Sequence, residues 1–421
     1  MSSHNKSNVL SNFAALSIVQ GANFLIPILV IPYVITKVGA DGFGEISVAQ
    51  VIIMFFTTIA DYGFNLTATR DVSINRNNPT KLSQVFFTVF LVRLVLCAGL
   101  FLAMLLGIFC LPFLRIHSSL YLLAFVSVLG QSILTTWLFQ GIEKMNVIIY
   151  ISLLARIIFV FCVLCFIKDK DDNIYFIFFS GIGNLFAGLI SLLFAYRFLK
   201  LSLIIPSINE VKKELARGWH ITISNLSVSI YMYINVLLLR LFTNSTIVGY
   251  YSIAEKIISI GRQVLSVYFQ AIYPQVCQLA VTSKKELSLF FEKYYRPFLI
   301  SIFAGCFVSF LFPEFFVQFF IKDPQALTSQ YLQILSFVPF IVCLNIPAYQ
   351  LLIVNNQKKT LVIIFTVGTF LNIVSSFILV PRMGAVATSY IVLFTELFIT
   401  IALIFARYRK ERTRLGLYYK L

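Results

Sequence analysis

Gly42-Phe43-Gly44-Glu45-Ile46-Ser47-Val48-Ala49-Gln50 opens an apolar run that closes on Asp61-Tyr62-Gly63-Phe64. At about 1.5 Å per residue a helix over this run crosses most of a bilayer. It enters on glycines and sets a carboxylate near its far end. A carboxylate there is costly against lipid, so Asp61 must face water or a partner, which makes it a functional candidate. A shortened copy returns as Gly249-Tyr250-Tyr251-Ser252-Ile253-Ala254-Glu255. Setting Gly44 on Gly249 matches Ser47 to Ser252, Ala49 to Ala254 and Gln50 to Glu255, an offset of 205 in a chain of 421. The recurrence predicts two copies of one membrane unit with a polar path between them, as in alternating-access transporters.

Composition agrees. The chain is 59% hydrophobic and 12% charged, with a mean hydropathy of +0.90. The predicted fold class is therefore all-α and polytopic, with about twelve transmembrane helices as two six-helix bundles around a central cavity. The spans are expected over 10–35, 44–68, 83–111, 119–140, 146–167, 174–198, 219–242, 248–281, 295–320, 328–353, 361–380 and 385–406. This gives an N-terminal bundle over 1–200, a cytoplasmic linker over 201–218, a C-terminal bundle over 219–406 and a basic cytoplasmic tail over 407–421. The third and eighth spans are longer than a bilayer needs, which predicts tilt or protrusion.

A net charge of +16 raises the question of nucleic acid, but the basic residues sit mostly in loops. Of the 33, 22 lie on the side of the N-terminus, 6 on the opposite side and five inside spans. The asymmetry predicts both termini in the cytoplasm and explains the charge without nucleic acid. In the linker, Ile204, Ile208, Val211 and Leu215 repeat at helical spacing, the pattern of an amphipathic helix on the inner leaflet. Cys162 and Cys165 form a CxxC without companion ligands, so packing is the reading, and no metal site is expected. His4, His117 and His220 take no role. With no nucleotide loop or nucleophile elbow, no cofactor and no catalytic residue is expected.

Helical spacing then marks the spans that can line a path. The second carries Ser47, Gln50, Met54, Thr57, Asp61 and Asn65 on one face; the eighth carries Glu255, Ser259, Arg262, Ser266, Gln270 and Tyr273. The seventh offers Thr222, Asn225, Ser229, Tyr233 and Arg240, and the first offers Ser17, Gln20 and Asn23. Single hydroxyls and amides in such positions also serve as glue between helices. Ionisable groups are another matter: Arg93, Arg156, Arg240, Lys256 and Arg262, with Asp61, Glu255 and Glu396, must line a wet cavity, pair, or snorkel. The basic excess suits an anionic substrate such as a diphosphate or acidic sugar, for which arginine is the expected ligand. Asp61, Glu255 and Glu396 are candidates for ion coupling or gating, with static ion pairs as the competing reading. Glu255 and Arg262, seven apart, can pair along their face, and Arg70 lies near Asp61.

Several stretches resemble one family. They are Val19-Gln20-Gly21-Ala22-Asn23-Phe24 with Pro27 and Pro32, and Tyr62-Gly63-Phe64-Asn65-Leu66-Thr67-Ala68-Thr69. Trp137-Leu138-Phe139-Gln140-Gly141-Ile142-Glu143-Lys144-Met145 is the most specific. Gly218-Trp219-His220, Val248-Gly249-Tyr250-Tyr251, Ala271-Ile272-Tyr273-Pro274 and Gly384-Ala385-Val386-Ala387 add to it. Together they resemble the O-antigen flippases, the polysaccharide branch of the superfamily that includes multidrug extruders. The resemblance implies a bacterial inner-membrane protein that moves undecaprenyl-diphosphate-linked repeat units to the periplasmic leaflet by ion-coupled alternating access. A polysaccharide polymerase and a chain-length regulator are the implied protein partners. Where several relatives carry an acid in the seventh span, this chain has Asn235, which moves the coupling role to Asp61 and the Glu255–Arg262 face. A drug extruder of the same fold is the alternative, though a basic lumen argues against it. A membrane glycan polymerase is a further one, lacking here the large external loop it would need.

Overall fold

The computed structural model describes the backbone of residues 3–199, 201–321, 326–355 and 357–418, with side chains described from 29 to 409 apart from a few positions. Among these residues the chain is helical throughout, without a strand. It forms two compact units, Met1–Ser229 and Ile230–Leu421. Nine helical segments of the described residues are long and apolar enough to cross a membrane.

The first unit begins with α1 (Ser3–Asp61), which is broken at Gly39, where φ is 72° and ψ −179°. Only glycine adopts that conformation readily, so the chain reverses there between two spans. The expected entry turn at Gly42 and Gly44 therefore moves upstream, and Gly42 lies inside the helix, where an added Cβ would sit 2.9 Å from Val38 Cβ. The same device separates the last two spans: α16 (Lys358–Tyr418) is broken at Gly384, with φ 56° and ψ −135°.

After α1 come α2 (Phe64–Asn75), α3 (Pro79–Cys110), α4 (Pro112–Ile116), α5 (Ser118–Ile133), α6 (Thr136–Gly141), α7 (Met145–Phe166) and α8 (Asn173–Leu199). Pro79 sits in the first turn of α3, where its missing N–H costs nothing, and the Asn78 side chain caps the Lys81 N–H. The tightest pairing in this unit is α5 on α8. A Cβ on Gly130 would lie 2.5 Å from Leu185 N, and one on Gly188 2.9 Å from Gly130 O, so the two backbones are in contact. Small residues at a helix interface are how membrane helices gain dispersion energy without a hydrophobic driving force.

Next, α9 (Ile208–Phe242) runs on without interruption from the linker into the seventh span. The apolar positions expected to lie on the inner leaflet divide: Val211 and Leu215 pack against the core of the first unit, while Ile208 is exposed. Helical periodicity identified the buried face correctly in these two residues but assigned it to lipid instead of protein.

The second unit contains α10 (Ser245–Thr282), α11 (Lys284–Phe290), α12 (Arg296–Leu311), α13 (Pro313–Gln318), α14 (Ala326–Leu335), α15 (Val338–Val354) and α16. A π turn over Phe291–Tyr295 joins α11 to α12. It ends beside Pro297, whose ring nitrogen cannot close an ordinary helical hydrogen bond. Buried amides tie the unit together: Asn345 Nδ2 donates to Thr400 Oγ1 at 3.0 Å, Asn372 Nδ2 to Thr395 Oγ1 at 3.2 Å, and Gln350 Nε2 to the Phe269 carbonyl at 3.2 Å.

Candidate functional site

Each unit holds a largely buried arginine–carboxylate pair, and the two are built differently. In the first unit α1 ends at Asp61, and Tyr62 and Gly63 turn the chain with φ of 47° and 73° before α2 begins. The fourth span is broken too: α5 ends at Ile133, Leu134 is extended, and α6 restarts at Thr136. Such breaks leave carbonyls and a negative helix end without intrahelical partners. Arg93, on α3 and 1% exposed, answers both. Its Nη1 donates to Leu134 O at 2.7 Å and its Nη2 to Gln131 O at 2.8 Å, while Nη2 also meets Asp61 Oδ1 at 3.1 Å. Asn65 Nδ2 donates to the other Asp61 oxygen at 2.8 Å. One guanidinium thus holds the C-terminal ends of two broken helices at a common level, and the partner of Asp61 is Arg93 and not the neighbouring Arg70.

Below this joint the two short segments pack together. Thr69 Oγ1 donates to Trp137 O at 3.2 Å, Gly141 lies so close to Thr69 O that a Cβ would come within 2.8 Å, and Arg76 pairs with Glu143 at 3.1 Å. Trp137, Leu138 and Phe139, the centre of the most specific sequence motif, are buried in this contact. The N-terminal part of α9 seals the same region: Tyr62 OH donates to Leu215 O at 3.0 Å, and Arg217 bridges Asp71 at 3.3 Å and Glu214 at 3.0 Å.

In the second unit Arg262 of α10 pairs with Glu396 of α16, Nη2 to Oε1 at 2.9 Å, with both side chains largely buried. Tyr231, Tyr251 and Glu255 also surround this guanidinium. The direct ion pair is therefore to Glu396, 134 residues away, with Glu255 as a second carboxylate in the same field. The pairing expected along the α10 face is replaced because the last span supplies a closer oxygen.

The remaining candidates spread out. Lys256 and Ser259 are half-buried on α10, and Ser259 Oγ donates to Lys256 O at 2.7 Å. Gln50 and Thr57 are half-buried on α1, and Asn225 is exposed on α9. Arg156 is half-buried on α7, and Arg240 Nη1 donates to Thr243 O at 3.2 Å near the end of α9. The side chains of Gln20 and Asn23 lie outside the described residues.

Sequence reasoning missed one buried contact of charge. Glu45, 1% exposed, sits 3.3 Å from His117 Nε2, fastening the loop before α5 to the start of the second span. Glu45 stood in the opening motif, but an acid near a span end is usually hydrated, and only packing reveals its burial.

Comparison with known proteins follows the same lines. A family model described as "Polysaccharide biosynthesis protein" matches residues 9–280. Two curated relatives carry the name "Putative O-antigen transporter". One, from Escherichia coli (strain K12), is 27% identical over 410 residues, covering 96% of this chain and 98% of its own. The other, from Shigella dysenteriae, is 25% identical over 393 residues, covering 93% and 98%. Among solved structures, the fold is similar to an inward-facing multidrug resistance MATE family transporter of the MOP superfamily. The TM-score is 0.71 at 14% identity, covering 97% of this chain and 99% of that one. It is also similar to the lipid II flippase MurJ, with a TM-score of 0.69 at 11% identity, covering 94% and 87%.

Proposed function

The chain belongs to the polysaccharide biosynthesis protein family, and from that premise we propose that it flips lipid-linked oligosaccharide repeat units across a bacterial inner membrane. The cargo is an undecaprenyl-diphosphate-linked O-antigen or related unit, moved from the cytoplasmic to the periplasmic leaflet by alternating access. A polysaccharide polymerase and a chain-length regulator then use the flipped unit. The observation that carries the reading is chemical: an apolar helical chain keeps ion pairs buried inside both of its units. Moving a diphosphate and a glycan through hydrocarbon demands a substitute for their lost hydration, and fixed polar groups supply one. The relatives named as O-antigen transporters and the fold shared with a lipid II flippase support the same assignment.

The second unit is the place for coupling. Around Arg262 stand two carboxylates, Glu255 and Glu396, so the cluster carries one excess negative charge when all three are ionised. Uptake of one proton or one monovalent cation neutralises it. That change is worth several kcal/mol at low dielectric, enough to bias a two-state equilibrium. The Asp61–Arg93 pair is already neutral and held by backbone carbonyls, which suits a structural joint.

The decisive experiment is rescue of surface polysaccharide in a strain lacking its own flippase. Expression of this chain should restore long glycan, and transport in proteoliposomes should respond to an imposed proton or sodium gradient. Drug resistance without restored glycan would instead support the extruder reading.

A further inference from the structure

We propose that α10 presents the substrate site itself: a polar ladder of Lys256, Ser259, Gln263, Ser266 and Gln270 for a diphosphate and sugar hydroxyls, beside an apolar strip for the lipid chain. The inference rests on the lipid-linked glycan reading above and names the residues that would make it work.

At about 100° per residue, α10 divides into four sectors. Ile258, Leu265, Ile272 and Val276 form the buried side. Glu255 and Arg262 come next, engaged with the charge cluster. Then comes the ladder, spanning roughly 80° of arc, with Lys256, Ser259, Gln263 and Ser266 half-buried and Gln270 exposed. Beyond it lie Ile260, Val264 and Val267, the last two 42% and 59% exposed. The arginine and the lysine of this helix therefore do different work. Arg262 is engaged by Glu396, whereas Lys256, half-buried, lies outside that ion pair.

The ladder differs from interhelical glue in the same unit. Asn345, Asn372 and Gln350 are 7%, 4% and 0% exposed and hydrogen-bond to neighbouring helices. Of the ladder amides Gln270 is exposed and Gln263 half-buried, and the hydrogen bonds of its members run within the ladder: Gln270 Nε2 to Ser266 Oγ at 3.2 Å and Ser259 Oγ to Lys256 O. Amides along α10 cannot face hydrocarbon without loss, so they face water or a polar ligand. Primary amides offer both donors and acceptors, the complement of a sugar's hydroxyls, and an ammonium complements a phosphate. From Lys256 to Gln270 the rise is about 21 Å, a length suited to a headgroup of several units. A polar ladder flanked by an exposed apolar strip matches an amphiphile whose head and chain lie side by side.

The test is equilibrium binding to the full chain in nanodiscs, using a fluorescent polyprenyl diphosphate and the same lipid bearing a disaccharide. The native chain should bind both. Lys256→Ala should weaken both about tenfold, the loss of one charge-assisted contact, and Lys256→Arg should restore them. The double variant Gln263→Ala with Gln270→Ala should weaken only the glycosylated probe. Because none of these side chains is fully buried, thermal midpoints should stay near the native value, which separates lost contact from lost fold. Native binding of the glycosylated probe by the double variant overturns the ladder and leaves the transport reading standing. A native chain that binds neither probe overturns the transport reading, and the ladder with it.

Discussion

Arg93 is where chemistry and architecture meet most directly. Its guanidinium is buried, paired with Asp61 and bonded to two carbonyls, so truncation strands a carboxylate and two acceptors in the interior. Arg93→Ala is expected to cost about 3–5 kcal/mol, seen as a lower thermal midpoint and reduced protein in the membrane. Replacing the pair together, Arg93→Met with Asp61→Leu, should recover only part of that loss: no uncompensated charge remains, but the carbonyls of Leu134 and Gln131 stay unpaired. An unchanged midpoint in Arg93→Ala with transport abolished would return Arg93 to the substrate. The second cluster behaves otherwise. Glu255→Gln should keep stability near native, since Glu396 still holds Arg262, yet remove the response of vesicle transport to an ion gradient. A full gradient response in that variant would exclude Glu255 from coupling. The sequence showed that each of these residues needed a partner; it could not say which, because Arg262 and Glu396 are brought together by the rotation of two helices far apart in the chain.

At the scale of the element, the breaks in helices are as informative as the helices. Gly39 reverses the chain in a conformation reserved for glycine, though nothing lies within 4 Å of where its Cβ would be. Gly39→Ala should therefore lower the thermal midpoint by backbone strain alone, about 1–3 kcal/mol. Gly99, inside α3 with equally open surroundings and helical backbone, gives the opposite sign: Gly99→Ala should raise stability by about 0.5–1 kcal/mol. Equal shifts for the two would mean that φ at Gly39 is not the constraint. Hydropathy located α3 at Pro79–Cys110 and α10 at Ser245–Thr282 to within a few residues, but it set the start of α9 at 219 instead of Ile208, because the opening turns of that helix are charged. It could not see the break at Leu134 and Thr135, since neither is a proline or glycine and two threonines do not interrupt an apolar run of that length. At that break Arg93 donates to the freed carbonyl of Leu134, a contact made across 41 residues.

For the whole molecule, the loop charges make a prediction about orientation. A green fluorescent protein fused after Leu421 should fluoresce, and a phosphatase inserted near Lys170 should be active, as expected for cytoplasmic termini and an external 168–172 loop. The reverse pattern would overturn the charge rule for this chain. What the sequence determined by itself follows from the bilayer: apolar runs about 20 residues long must be helical to satisfy their own backbone, and charges within them must be explained. That fixed the class, the approximate spans and the costly residues Asp61, Arg93, Arg262 and Glu396. Only the tertiary structure decided their roles. Periodicity gives the azimuth of a side chain on its own helix but neither its depth nor the face of the neighbour opposite it. Those two quantities set Arg93 between the ends of two broken helices, paired Arg262 with Glu396, and left Lys256 half-buried and Gln270 exposed on α10.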